Sequence, residues 1–375
     1  MAQSEVTALG PARGPVAARV LVVSGSVGAG HDGAARELAA RLTAAGAVVE
    51  VRDYLTAVPR PLAYLLGEGY LTLVERIPRA FDFLYGQLER KGVFWRAEAV
   101  LLRRGVSAIA HWVAEFRPDV VVGIYPPAVQ TLGMLRESGR LPVPAMSYLT
   151  DPAAHVSWLH PALDVHATVT AATARQAAAH YGVDCTVAGP LVPERFSVRP
   201  APARLQALRA DLGLSDGLPV VLLGGGSLGL GDVAPTARTI TAAGGTAVVL
   251  CARNEKLRRS LEQVPGVVAL GWRTDMHELL HVADLLVQNA GGLSLTEAMV
   301  AGLPAVTYRP IPGHGRANAG VLEAAGLVPW ARTPKQLGRL VHAAAGRDRT
   351  PPEFSDPAAL VLSLADASSS PEQIA

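Results

Sequence analysis

Arg19-Val-Leu-Val-Val-Ser-Gly-Ser-Val-Gly-Ala-Gly-His-Asp-Gly33 decides the fold. Its first five residues form a short apolar run that stops at Ser24-Gly25, the pattern of a buried strand. Gly28-Ala-Gly30-His31-Asp-Gly33 then has Gly-x-Gly-x-x-Gly spacing, and Ala34 to Ala45 reads as a helix closed by Gly46. Val48-Val-Glu-Val-Arg52 is a second strand. A strand–helix–strand opening predicts an α/β fold with a parallel sheet.

The same rhythm continues outward. Val120–Gly123, Ala145–Tyr148, His166–Val169 and Thr186–Ala188 read as further strands. Pro190, Pro193, Pro200 and Pro202 then mark an interdomain linker. A second half starts with Val220–Leu223 and its own glycine-rich turn, Gly224-Gly-Gly-Ser227. Strands Ala247–Leu250, Val267–Leu270, Leu285–Val287 and Ala305–Tyr308 follow, alternating with helices near 255–263, 276–282 and 294–301. The expected organisation is a loose leader over 1–18, one domain over 19–189, a linker over 190–203 and a second domain over 204–350. A tail over 351–375 is expected to pack back on the first domain.

Composition bounds the function. At 375 residues the chain suits two domains, and half its residues are hydrophobic, which argues against disorder. The formal net charge is only +2, so no global basic field exists for nucleic acid. Two cysteines make neither a disulfide scaffold nor a cysteine-rich zinc site. No apolar run approaches transmembrane length, and Val20–Val23 is too short for a signal sequence. A cytoplasmic protein, free or lying on a membrane surface, is expected.

Several motifs carry chemistry. With Asp53 about 20 residues on, the first turn would suit a dinucleotide and hence a nicotinamide dehydrogenase. His31 argues against it. A histidine at a helix N-terminus tends towards the neutral form, and a neutral imidazole facing a cleft is a general base; the plain alternative is a solvated loop residue. Gly224-Gly-Gly-Ser227 and Asn289-Ala-Gly-Gly-Leu-Ser-Leu-Thr-Glu-Ala298 are glycine-rich turns that would together grip a diphosphate, with Glu297 accepting from a ribose diol. Asp151, His155 and His160 cluster after a strand end without standard zinc spacing. The absence of Asp-x-Asp disfavours a metal-bound diphosphate, and no metal site is expected.

Residues 60–104 differ in character, with seven aromatic residues and eight basic residues against five acidic ones. Leu62, Leu65, Leu66, Leu73, Val74, Ile77, Phe81, Leu84, Tyr85 and Leu88 recur at roughly helical spacing among Arg76, Arg79, Arg90, Lys91, Arg96, Arg103 and Arg104. Such a segment suits a bilayer interface; two ordinary core helices are the alternative.

The ordered set of motifs resembles the monogalactosyldiacylglycerol synthases and bacterial processive diacylglycerol glucosyltransferases, of glycosyltransferase family 28. These are relatives of the peptidoglycan enzyme that adds N-acetylglucosamine to lipid I. The matching stretches are Gly28–Ala35, Thr150–Trp158 with His160 and Asp164, Cys251–Leu257, Gly271-Trp272 with Met276, Ala290–Glu297, Gly302–Pro304 and Pro310–Gly313. The resemblance implies the GT-B fold, two Rossmann-like domains facing across a cleft, with a UDP-sugar as co-substrate and no metal or cofactor. It places His31 in the acceptor loop with Gly28 and Gly30. Gly225, Gly226 and Ser227 would hold the diphosphate. Trp272, Arg273 and Met276 would lie near uracil, Gly291, Gly292, Leu293, Ser294 and Thr296 on the α-phosphate side, and Glu297 on the ribose. Arg253 and Asn254 would line the donor pocket. Where the family tends to have Gln-Glu to read donor hydroxyls, His314-Gly315 stands here, which leaves the donor sugar open.

The expectation is an inverting, metal-independent transfer of a hexose to a lipid such as diacylglycerol, peripheral on the inner face of the cell membrane through residues 60–104. His31, or Asp151 acting through His155, would take the acceptor proton. The rivals are a transferase for soluble acceptors, a UDP-sugar epimerase, a nicotinamide dehydrogenase, and a non-catalytic lipid or nucleotide binder.

Overall fold

The computed structural model describes residues 17–225, 230–346, 349 and 351–369. Most of the expected leader lies outside them. The N-terminal half runs β1 (Arg19–Ser24), α1 (Ala29–Ala44), β2 (Val48–Asp53), α2 (Arg60–Tyr64), α3 (Tyr70–Arg76), α4 (Pro78–Glu89) and α5 (Val93–Phe116). It continues with β3 (Val120–Gly123), α6 (Pro126–Glu137), β4 (Ala145–Leu149), β5 (Val165–Thr168), α7 (Ala171–Tyr181) and β6 (Thr186–Val187). Its six strands are all parallel, in the order β2-β1-β3-β4-β5-β6.

The C-terminal half starts with α8 (Pro202–Asp211), β7 (Val220–Gly224), α9 (Val233–Ala242), β8 (Thr246–Leu250), α10 (Glu255–Leu261), β9 (Val267–Leu270) and α11 (Met276–Val282). β10 (Leu285–Gln288), α12 (Leu293–Val300), β11 (Ala305–Tyr308), α13 (His314–Ala324), β12 (Trp330–Ala331) and α14 (Pro334–Ala344) follow. This sheet is parallel too, ordered β12-β11-β10-β7-β8-β9.

Both sheets are covered on both faces, as runs without polar alternation require. Val20 and Val22 pack towards Leu38 and Leu42 of α1. Leu21 and Val23 face Ile109 and Trp112 of α5 and Leu132 of α6. In the second half Val221 and Leu223 join Ile240 of α9 and Val341 of α14, and Val220 and Leu222 join Leu279 of α11 and Ala298 of α12.

The crossing between the halves is tighter than its prolines suggest. Leu191 is buried in the first domain's core, and Val192 and Phe196 in the second's. A last helix, α15 (Pro357–Ser369), returns to the first sheet and inserts Val361 and Ala365 beside Val20 and Val22. The outgoing and returning crossings touch: a Cβ on Gly189 would lie 2.1 Å from the Ser355 carbonyl oxygen. Arg41 ties the two together, donating to Val192 O and pairing with Asp356.

Residues 60–104 form a broken helical array. A π-type turn at Leu65–Gly69 joins α2 to α3, and Pro78 separates α3 from α4. One face packs inward through Leu62, Val74 and Phe81. The outer face leaves Tyr64, Leu65, Ile77, Phe83, Val93, Phe94, Val100 and Leu101 exposed. No described helix is long and apolar enough to cross a membrane.

Candidate active site

Three helix N-termini meet in the cleft because α1, α12 and α13 each follow the carboxyl end of a parallel strand. Ligands of open α/β sheets bind at these ends, and unpaired N–H groups there favour anions. The approach is close: a Cβ on Gly33 of α1 would meet Leu293 of α12 at 2.8 Å. Between them lies a cavity of about 610 Å³. Its polar end holds Gly28, Gly30, His31 and Asp151 from the first domain, facing Gly225, Gly291 to Thr296 and His314 from the second. Its apolar end runs under Leu62, Leu66, Leu84, Leu88, Phe94 and Leu101.

His31 sits in the first turn of α1, between the rings of Tyr125 and Trp158 at 5.4 and 5.7 Å. Its Nδ1 is 3.4 Å from Thr150 Oγ1. Burial lowers its pKa from 6.5, with the negative charges of Asp151 and then Asp32 opposing. The ring is therefore neutral at pH 7, with a carboxylate nearby to stabilise the imidazolium it becomes on taking a proton.

Asp151 is held at both oxygens. Trp158 Nε1 donates to Oδ2 at 3.1 Å and Asn318 Nδ2 to Oδ1 at 3.1 Å. The expected relay through His155 is not formed. His155 Nδ1 accepts from the Ser157 N–H at 3.2 Å, so the proton resides on Nε2, which faces Tyr85 O at 3.4 Å and Glu89 at 3.3 Å. Tyr181 donates to the same Glu89 at 2.7 Å. His155 lines the cavity, but its Nδ1 is spent on its own turn and its Nε2 on α4. His160 accepts from the Ala162 N–H and stands apart from the cavity lining.

In the second domain Gln288 shapes the turn before α12, accepting from Gly291 N at 2.6 Å and donating to Thr307 at 2.6 Å. Gly291 has φ +82°, and a Cβ there would collide with Asn318 at 2.8 Å, so only glycine fits. The Glu297 carboxyl has no hydrogen-bond partner among the described residues, and burial pushes its pKa up to about 7 against the pull of Arg195. Burial also keeps His314 neutral; its Nδ1 lies 3.3 Å from the Tyr70 hydroxyl, across the domain boundary. Gly315 has a steric reason: a Cβ would sit 2.8 Å from Asn289 O and 2.6 Å from Ile311.

Other expected donor residues are placed elsewhere. Asn254 caps α10, accepting from Leu257 N at 3.0 Å. Arg253 lies over the Trp272 ring at 5.2 Å, and Trp272 is exposed. Arg273 pairs with Asp275, and Met276 packs against the second domain's core. None of these lines the cavity. Gly226 and Ser227 lie outside the described residues. Asp53, the acid a dinucleotide would need, is engaged by Ser26 and Leu55. No group of three or more potential metal-ligating side chains occurs among the described residues. Asn318, Tyr70 and Gln288 escape the sequence reading, because no local pattern marks them, and Trp158, which lies in a quoted motif, is given no role there.

Comparison with solved structures identifies the fold. The MurG structure from Acinetobacter baumannii superposes with a TM-score of 0.54 at 15% identity, covering 94% of either chain. The spinosyn rhamnosyltransferase SpnG, complexed with thymidine diphosphate, gives 0.57 at 17% identity, covering 94% of this chain and 96% of its own. The fold is thus that of the GT-B glycosyltransferases.

Sequence comparison adds similarity over part of the chain. The family model for monogalactosyldiacylglycerol (MGDG) synthase matches residues 31–188. Monogalactosyldiacylglycerol synthase 1 of Arabidopsis thaliana is 25% identical over 294 residues, which cover 71% of this chain and 55% of that protein. The processive diacylglycerol β-glucosyltransferase of Staphylococcus aureus is 22% identical over 338 residues, 86% of this chain and 83% of its own. The chain spans about half the length of the first of these. Over these spans the chain is similar to the monogalactosyldiacylglycerol synthases and the diacylglycerol glucosyltransferases.

Proposed function

We propose that the protein is an inverting glycosyltransferase that moves a hexose from a UDP-sugar to a hydroxyl of a diacylglycerol-type lipid. The observation that carries this reading is the cavity's continuity. Leu65, Phe94 and Leu101 belong both to the exposed apolar face and to the cavity lining, so an acyl chain has a dry path from outside to His31. Arg76, Arg79, Arg90, Lys91, Arg96, Arg103 and Arg104, all exposed, flank that face and suit anionic headgroups. The enzyme would therefore work at a membrane surface.

In the proposed reaction the neutral His31 imidazole takes the acceptor hydroxyl's proton as its oxygen attacks the anomeric carbon. The bond from that carbon to the β-phosphate oxygen breaks, and UDP departs with the electron pair. Asp151 offsets the new imidazolium charge. The N–H groups opening α12 hold the diphosphate, and Glu297 accepts from the ribose diol. UDP leaves as an anion, so no acid and no metal is required.

The test measures UDP release from UDP-glucose, UDP-galactose and UDP-N-acetylglucosamine in EDTA, with and without diacylglycerol liposomes. Lipid-dependent release is expected, and His31→Ala should lower it by about 10²- to 10⁴-fold. Release without any acceptor would indicate hydrolysis or epimerase-like chemistry. Release only with soluble alcohols would overturn the lipid assignment.

A further inference from the structure

Asn318 lies on α13 of the second domain and is fully buried. Its Nδ2 donates to Asp151 Oδ1 at 3.1 Å, across the cleft, and to Ala290 O at 2.8 Å, in the turn before α12. Its Oδ1 accepts from Ala153 N at 2.8 Å, again across the cleft. Both amide protons and the carbonyl are therefore used. The orientation is unambiguous, since a flipped amide would set its oxygen against a carboxylate and a carbonyl. The room for this side chain comes from Gly291, where any Cβ would strike it.

We propose that Asn318 is a positioning residue that aims the Asp151 carboxylate at the reaction centre only when the two domains are closed. The proposal rests on the transferase reading for its catalytic consequence, but its geometry stands apart from it. Opening the cleft withdraws Asn318 from Asp151 and Ala153 together. Asp151 then keeps only its bond from Trp158 and is free to turn. Because the same amide holds Ala290, the donor turn and the acceptor-side carboxylate are set by one group. Proton removal is thereby confined to the closed state, in which the donor turn is also in place.

The test combines a double-mutant cycle with a spectroscopic readout. Asn318→Ala should lower kcat for UDP release on diacylglycerol liposomes by about 10- to 100-fold, the usual worth of a hydrogen bond to a charged group. Asn318→Asp should lower it further, because it sets a second carboxylate against the first. In an Asp151→Asn background Asn318→Ala should cost no more than about twofold, whereas independent losses would multiply and overturn the proposal. The chain has five tryptophans, so the Trp158 indole N–H resonance is identified as the one lost in Trp158→Phe. It should shift in Asn318→Ala, and much less when Asp151→Asn is already present; an unmoved resonance overturns the proposal. This arm needs no turnover, so failure of the transferase reading leaves it decisive. If Asn318→Ala does not fold, Asn318→Leu fills the same space without the bonds and carries the same measurements.

Discussion

His31 in the cavity and Glu297 of α12 carry opposite displacements from their ordinary pKa values, both caused by burial. His31 is pushed down and Glu297 up to about 7. In the proposed mechanism His31 acts deprotonated, so its lowered pKa extends activity to the acid side of 6.5, and the rate falls only when pH drops through the folded value. Glu297 is protonated below about 7, where it loses accepting capacity for a ribose diol. Donor KM should therefore rise as pH falls through about 7, and steady-state kinetics of Glu297→Gln should show a raised KM with no such step. The two histidines expected at the proton-removal step illustrate what a sequence can hold. His31 was legible because strand, turn and helix lie within fifteen consecutive residues. The tautomer of His155 was not, since it is set by Ser157, Tyr85 and Glu89 once the chain has folded. Asn318 was invisible for the same reason: Asp151 is 167 positions away, and a lone asparagine in a helix has no periodicity to betray it.

Among the elements, strands were the most readable, because β1, β3, β7 and β10 are short apolar runs buried on both faces. Helical spacing in residues 60–104 was also readable. What spacing could not tell was which face would stay bare, as that depends on the breaks at Leu65–Gly69 and Pro78. In the motif Cys251-Ala-Arg-Asn-Glu-Lys256 the local spacing does not show that Asn254 caps α10. The bare face makes its own prediction. Phe83→Asp with Val93→Asp removes two of its most exposed apolar side chains, at 58% and 78% exposure, neither of which lines the cavity. Flotation with anionic diacylglycerol liposomes should be lost, while turnover on a short-chain, detergent-dispersed acceptor persists. Flotation equal to the unsubstituted protein would remove this face from membrane contact.

At the level of the whole molecule, α13 is the element through which the domains meet. Its N-terminal residues Gly313 and Arg316 are both held by Asp82 of α4, His314 faces Tyr70 of α3, and Asn318 reaches Asp151. The apolar helices that would meet a lipid are thereby bonded to the helix that aims the carboxylate. The two adjacent crossings have a mechanical consequence as well. A molecule whose halves are joined by one tether can be cut in two, but here the chain passes over and comes back, and Arg41 clips the passages side by side. The closing motion is thus that of a book with a sewn spine, with freedom to open and little freedom to slide or twist. A nick between Glu194 and Ala201 should accordingly yield two fragments that co-elute on gel filtration, because α15 still threads the second half into the first half's sheet. Removing α15 as well should let them part, since the remaining contacts would have to act at the low concentration of free solutes instead of that of a tethered pair.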